Sequence, residues 1–423
     1  MKKILVISWF YPPVNSSEGL VTYKLLRKSK YSYDVFTQKK VDLWSYGNKD
    51  YLPESANIKC IYSKAEDLNQ WKKDAIEYFK KNKDKYDIIM TRSMPPESHV
   101  IGIEIKKIKP EIIWIASFGD PIANNPYTKL AIKEYNPWEL RSYYRLKIRN
   151  VISPRRIAKN CLFKRHIRKV NKQFLSGPGK LEDDILKKAD YYIFNSEEQK
   201  EYMLQKYGEK EKNKGVVLNH SYAEDLYPEL AEKNDDRIVM TYVGGLDDIR
   251  TPRLLFEAIK RLKEDDEELS KKIVFNFYGS LSDKDKLYVI NEELTDVIHV
   301  RKNVKYLDSL KIMKNSDWLM LIDANITEVQ PKNIFFAAKL ADNIGAKTKI
   351  LGITMQEGVS ANILRKINGL LLTYSIEEIR NYLWLIIYKG YKVEINKEAC
   401  KEFDSVEVAK KFDKLVDDIN SKI

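Results

Sequence analysis

Cysteine and histidine are scarce in this sequence. It has three cysteines, Cys60, Cys161 and Cys400, and four histidines among 423 residues. The cysteines are far apart and odd in number, which argues against a disulfide framework and for a reducing, cytoplasmic setting. Neither residue type clusters at ligand spacing, so no metal centre is expected. No apolar run approaches the eighteen or more residues of a membrane span. The opening run, Met1–Pro13, is too short in apolar residues for a signal peptide, and no small-residue cleavage site follows it. Glycine is sparse as well, and no Gly-x-Gly-x-x-Gly occurs. That removes the usual pointer to a nicotinamide or flavin, and no cofactor is expected.

What is present describes a soluble globular chain. The hydrophobic share of 43% can build cores, and the charged share of 32% keeps the surface wet. The length implies two or three domains. The net charge of +13 is concentrated in one place. Between Arg141 and Lys172 stand roughly a dozen Lys and Arg and no acidic residue, interleaved with Tyr143, Tyr144, Leu146, Ile148, Leu162 and Phe163. Pro154 divides the segment into two expected helices. A basic hairpin of this kind suits an anionic membrane surface, with Arg155, Arg156, Arg165 and Arg168 as contact candidates. Nucleic acid is the disfavoured partner, because no reading motif accompanies the charge. A solvated hairpin without a partner is the plainer alternative.

Along the rest of the chain, buried-type strands repeatedly run into small-residue loops and then helices, the rhythm of parallel α/β sheets. Lys2–Trp9 leads to Ser16, Ser17, Glu18 and Gly19 and a helix through about Leu26. Tyr86–Met90 leads to a helix ending near Lys107. Ile112–Ala116 ends at Gly119–Asp120–Pro121, which places the Asp120 carboxylate at the carboxyl end of a sheet, although Asp-Pro is also a common turn device. Polar residues 227–236 read as a linker. A second series then begins. Arg237–Val243 runs into Gly244, Gly245 and Arg250, with Pro252 opening a helix. Lys272–Phe277 runs into Gly279 and Ser280. Glycines there permit close approach to phosphate, and Arg250 suits a diphosphate.

Trp318–Ile322 precedes the stretch Lys332–Gly352, which reads as a helix from about Ile334 to Ile344 and a short strand. Its free N-terminal N–H groups, with Asn333 and Ile334 leading in, would face an anion. Lys339 and Asp342 share one helix face. Alone, this pattern fits a nucleotide diphosphate with its ribose, or an ordinary solvated face with an incidental ion pair.

The series Ile-Leu-Val-Ile-Ser-Trp-Phe-Tyr-Pro-Pro, Thr-Arg-Ser-Met-Pro-Pro-Glu-Ser-His and Trp-Ile-Ala-Ser-Phe-Gly-Asp-Pro resembles family 4 retaining glycosyltransferases, in a capsule or exopolysaccharide subgroup. The second-half motifs continue the likeness: Gly244–Pro252, and Ile353–Ala361, which is similar to a Pro-Glu-Gly-Ser-Ala loop. The resemblance covers the chain apart from the basic insert. It implies a GT-B fold, two Rossmann-like domains facing a cleft. The first would span 1–225 with an insert at about 138–180, and the second 236–404. A C-terminal helix, 405–423, would cross back to the first. It further implies a cytoplasmic, peripheral-membrane transferase using a nucleoside diphosphate sugar, no metal, and a saccharide or lipid-linked acceptor. Nucleotide-sugar epimerases of the same fold, or a degenerate membrane-binding scaffold, are the alternatives.

Residue by residue, the resemblance gives Arg250 and Lys339 the diphosphate and Asp342 the ribose. Asp120 would act at the transferred sugar, and Ser16–Gly19 would close over the donor phosphates. The sequence departs from the family where Ser16–Ser17 replace Gly-Gly and Gly119 replaces a basic residue. It departs again where Gly245 replaces an Arg, Ile334 a Glu, and Asp342 the usual Glu.

Overall fold

The computed structural model describes residues 3–14, 16–39, 51–134, 179–229 and 235–422. The basic insert, including Arg155, Arg156, Arg165 and Arg168, lies outside the described residues, as does half of the expected linker, 230–234.

Two parallel sheets organise the chain. The first contains β1 (Lys3–Ile7), β2 (Tyr33–Gln38), β3 (Ile58–Ser63), β4 (Tyr86–Arg92), β5 (Ile113–Ser117), β6 (Tyr191–Phe194) and β7 (Gly215–Val217), in the order β3-β2-β1-β4-β5-β6-β7. The second contains β8 (Ile238–Val243), β9 (Ile273–Tyr278), β10 (Ile298–Arg301), β11 (Trp318–Ile322), β12 (Lys349–Ile353) and β13 (Leu370–Leu372), in the order β10-β9-β8-β11-β12-β13. Helices cover both faces of such sheets, which is why central strands carry almost no polar residue. All five residues of β11, Trp-Leu-Met-Leu-Ile, are buried. The helix Arg253–Asp265 shows the matching periodicity, burying Leu255, Phe256, Ile259 and Leu262 and keeping its charged residues off that buried stripe.

In each sheet the strand order reverses beside the first strand of the unit: between β1 and β4, and between β8 and β11. At such a reversal the connecting helices leave toward opposite faces and a crevice opens at the carboxyl ends of the strands. The doubly wound architecture expected from the sequence is therefore present twice. The two units share apolar packing, since Ile4, Val6 and Leu20 belong to one buried cluster with Leu310, Met313 and Leu319.

The C-terminal helix, Ser405–Asn420, returns to the first unit as expected. Asp404 caps it, accepting the Val406 N–H at 2.7 Å. Its face of Val408, Phe412, Val416 and Ile419 joins the cluster of Ile4 and Tyr23. The Asp413 carboxylate accepts the Ser29 hydroxyl at 2.5 Å and the Lys30 N–H at 3.0 Å, both at the end of the first-unit helix Ser17–Lys28.

The structure corrects the sequence expectation at one place that matters. The helix after β11 spans Ala338–Gly345 and does not begin at Ile334. Asn333 pairs with Gly358 as a parallel bridge, its carbonyl accepting the Val359 N–H at 2.9 Å. Phe336 packs edge-on against Phe403 and beside His220. These contacts keep residues 333–337 out of the helix, and Lys339 becomes its second residue.

Candidate functional site

A cleft with a cavity volume of about 730 Å³ runs between the carboxyl ends of the two sheets. Of the residues singled out from sequence, Ser16, Ser17, Glu18, Asp120, Gly244, Gly245, Arg250, Ser280, Lys339 and Asp342 line it. Gly19, Gly279, Asn333 and Ile334 do not line its wall; they stand behind it. Gly19 packs against the backbone of Tyr11, where an added Cβ would lie 3.1 Å from the main chain. The Asn333 amide donates to Asp323 at 3.1 Å, and Ile334 is buried. Both residues brace the loop.

The second-unit wall is built on β8. Its strand leads into Gly244, whose φ of +129° favours glycine; an added Cβ would also sit 2.9 Å from Lys339 Nζ and push that ammonium aside. Gly279, at the end of neighbouring β9, has φ +141°, and its Cβ would meet the Gly244 carbonyl at 2.1 Å. The close approach of the two strand ends requires glycine at 279, and the positive φ favours it at 244. Gly279→Ala is expected to cost about 2 kcal/mol or more. A chemical denaturation midpoint equal to the parent's would contradict this account of the loop.

Past Gly245 the chain turns on Asp247, which accepts the N–H groups of Ile249 and Arg250 at 2.9 and 2.8 Å. This turn projects Arg250 over the ring of Tyr127, 5.8 Å from its centroid. Tyr127 reaches across from the first unit and donates its hydroxyl to Asp247. The Arg250 Nε is buried and has no partner among the described residues. Lys339 meets it from the helix after β11, with its ammonium on the Tyr242 hydroxyl and 4.5 Å from that ring's centroid. Burial in the cleft wall, with Arg250 close by, brings the Lys339 pKa down to about 7. Two cations and one helix N-terminus thus converge where the second sheet reverses, an arrangement suited to a multiply charged anion.

The opposite wall carries carboxyl groups. Glu18, in the first turn of the helix after β1, accepts the Arg92 Nε–H at 2.8 Å. Arg92, the last residue of β4, also donates to Ser117 at 2.9 Å. Glu18 fits because residue 119 is glycine: a Cβ there would lie 2.6 Å from its Oε1. Burial raises the Glu18 pKa against the pull of Arg92. Asp120 is raised to about 6, by burial first and by the Glu18 charge second, with Arg92 and Arg250 opposing. Asp120 is therefore mostly ionised at neutral pH but poised to take up a proton. Asp342 also lines the cleft, with its Oδ1 accepting the Lys24 ammonium at 2.9 Å and the Tyr306 hydroxyl at 2.8 Å.

Sequence reasoning passed over Lys24, Arg92, Tyr127, Tyr242, Tyr306 and His220. Lys24 was the most legible of them, a lysine on the buried stripe of its helix with Leu20, Tyr23 and Leu26. A charge on an apolar stripe signals a buried partner. The tyrosines carried no such signal, because aromatic residues at these positions read as ordinary core.

No family model matches this sequence, and no curated protein matches it. Solved structures share its fold. Sucrose-phosphate synthase from Thermosynechococcus elongatus matches with a TM-score of 0.69 at 14% identity, covering 100% of both chains. Anabaena HepE in complex with UDP-glucose matches at 0.63 and 12%, again covering 100% of both. A UDP-N-acetylglucosamine 2-epimerase matches at 0.52 and 9%, covering 100% of this chain and 96% of the other. The likeness establishes the fold: two Rossmann-like units of the GT-B type, over the whole chain.

Proposed function

We propose that the protein is a retaining glycosyltransferase that moves a sugar from a nucleoside diphosphate donor to a lipid-linked saccharide, in cell-surface polysaccharide assembly. The observation that carries this reading is the convergence of Arg250, Lys339 and the helix N-terminus at the reversal of the second sheet, across one cleft from Asp120. The donor diphosphate lies against the two cations, and its ribose lies at Asp342. The sugar points toward Asp120 and Glu18. The bond from the anomeric carbon to the β-phosphate oxygen breaks, and the acceptor oxygen takes its place on the same face. The acceptor's proton passes to the departing diphosphate. Charge developing on that diphosphate is met by Arg250, Lys339 and backbone N–H groups already in position. These groups supply the positive charge that a bound metal ion would otherwise bring.

The structural neighbours support a nucleotide-sugar reading, since one of them holds UDP-glucose. The test is titration calorimetry with UDP-, GDP- and ADP-sugars, followed by incubation of the best binder with membrane extract. Binding and acceptor-dependent release of the diphosphate are expected. Absence of both overturns the reading, and isomerised donor formed without acceptor would make the protein an epimerase.

The membrane part of the proposal rests on the charge of residues 141–172, since no described helix is long and apolar enough to cross a membrane. Replacing Arg155, Arg156, Arg165 and Arg168 with Gln should weaken binding to phosphatidylserine vesicles by about two to three orders of magnitude, at about 1 kcal/mol for each cation. Unchanged co-sedimentation would remove the membrane partner.

A further inference from the structure

The carboxylate assigned to the ribose is held by the opposite unit. Asp342 stands on the second-unit helix Ala338–Gly345, and Lys24 stands on the first-unit helix Ser17–Lys28. The Lys24 side chain is 1% exposed, and its Nζ lies 2.9 Å from Asp342 Oδ1. The same oxygen accepts the Tyr306 hydroxyl at 2.8 Å. Behind it, Tyr227 donates its hydroxyl to the Asp342 carbonyl at 2.6 Å, and Gly345 packs against Tyr227 and Tyr222. The helix is therefore fixed along its backbone, and the carboxyl group is fixed in rotation by two donors on one oxygen.

That rotation has a chemical consequence. A carboxylate has two oxygens, and a free aspartate can offer both to the vicinal hydroxyls of a ribose. Here Oδ1 is engaged twice, while Asp342 still lines the cleft. An ammonium 1% exposed is costly to bury without a partner, so the pair stays closed when a ligand enters.

We propose that Lys24 is a positioning residue of the nucleotide site: it locks the Asp342 carboxylate so that its second oxygen alone reads the ribose, and ribose recognition therefore depends on both units. This rests on the nucleotide-sugar reading above. It goes beyond that reading in making a first-unit residue, on the acceptor side of the cleft, a determinant of nucleotide selectivity.

The test compares the tightest-binding of UDP, ADP and GDP with its 2′,3′-dideoxy form, by calorimetry on the full chain. The parent should prefer the ribonucleotide about tenfold or more, the worth of a hydrogen bond to a charged group. In Lys24→Met that preference should fall at least fivefold, with the dideoxy nucleotide nearly unaffected. Lys24→Arg should restore most of it. Tyr306→Phe, which removes the other Oδ1 donor and leaves the ion pair intact, should lower the preference by a smaller factor, and it serves if Lys24→Met fails to fold. The proposal is overturned if the parent binds both forms equally. It is also overturned if Lys24→Met, or in its place Tyr306→Phe, keeps the parent's ratio, or if affinity falls by the same factor for both nucleotides. Failure of the parent to bind any of the nucleotides overturns the functional reading itself, which separates the two outcomes.

Discussion

Arg250→Ala should weaken nucleoside diphosphate binding about a hundredfold and lower sugar transfer by roughly two to three orders of magnitude. The reasoning starts from the turn. Asp247 fixes the backbone at Ile249 and Arg250 through two N–H bonds, so the arginine leaves the loop in one direction. Tyr127 supports its guanidinium from the far side of the cleft. Neighbouring carboxylate and phenol groups keep the guanidinium charged, raising its pKa although burial opposes. A planar cation held in this way needs little reorganisation to meet a diphosphate. Arg250→Lys should recover only part of the loss, because an ammonium is a point charge and cannot span two phosphate oxygens. Calorimetry with UDP and a donor-hydrolysis assay read both quantities. If the alanine variant bound the diphosphate like the parent, the phosphate assignment would have to move elsewhere in the cleft.

Lys339 should make binding depend on pH in a distinctive way. In the free protein its pKa lies at about 7, against 10.5 for an ordinary lysine, so at pH 8 most molecules carry it neutral. A diphosphate brings opposite charge to the ammonium and draws the pKa back up, so binding takes up a proton. Above pH 7 the dissociation constant should rise about tenfold per pH unit until the pKa of the bound state is passed. Calorimetry at pH 8 in buffers of different ionisation enthalpy should show uptake approaching one proton, and Lys339→Met should abolish it. That variant should also bind UDP at least tenfold more weakly at pH 6.5.

The same residue acts on stability with a defined sign. Between about pH 7 and 10.5 the unfolded chain holds this proton and the folded chain does not, so stability from this group rises with pH across that window. Below about pH 7 the folded protein carries the full burden of the buried charge. Asp120, with its pKa at about 6, sets the other limb. If its ionised form is the active one, kcat/KM should rise through pH 6 and decline above 7, a narrow bell. Asp120→Asn should flatten the acid limb and leave the alkaline limb in place.

Much of this architecture was readable from residue patterns because its physics is local. Fully buried strands such as Trp318–Ile322 admit nothing but apolar residues, and the strand-end loops announce themselves through Gly244, Gly245 and Gly279. The short strands β7 and β13, of three residues each, were less legible, since so few residues carry no period. The helix start at Ala338 was hidden for another reason. Ile334–Ala337 hold no glycine or proline that would mark a stop, and the distant pairing of Asn333 with Gly358 keeps them out of the helix. The site divided along the same line. Arg250 and Asp120 stand in strand-end loops and Lys339 at a helix start, where sequence position indicates a role, and Asp342 follows Lys339 at i, i+3 on the same helix face. Arg92 and Tyr306 acquire theirs from partners 74 and 36 residues away, which no local pattern records.

The return of the helix Ser405–Asn420 to the first unit sets an order of events during synthesis. The groove that receives Phe412 and Val416 is formed by residues near the other end of the chain, among them Ile4 and Tyr23. On the ribosome, that groove is made before the second sheet exists and is filled only after the second sheet has emerged. At about 5–20 residues per second, the nascent first unit carries uncovered apolar surface for tens of seconds. Its nascent form is therefore a natural client for chaperones. A stop codon between Asp342 and Ser405 would leave the groove permanently open, with aggregation as the outcome, even though every residue lining the cleft had been made.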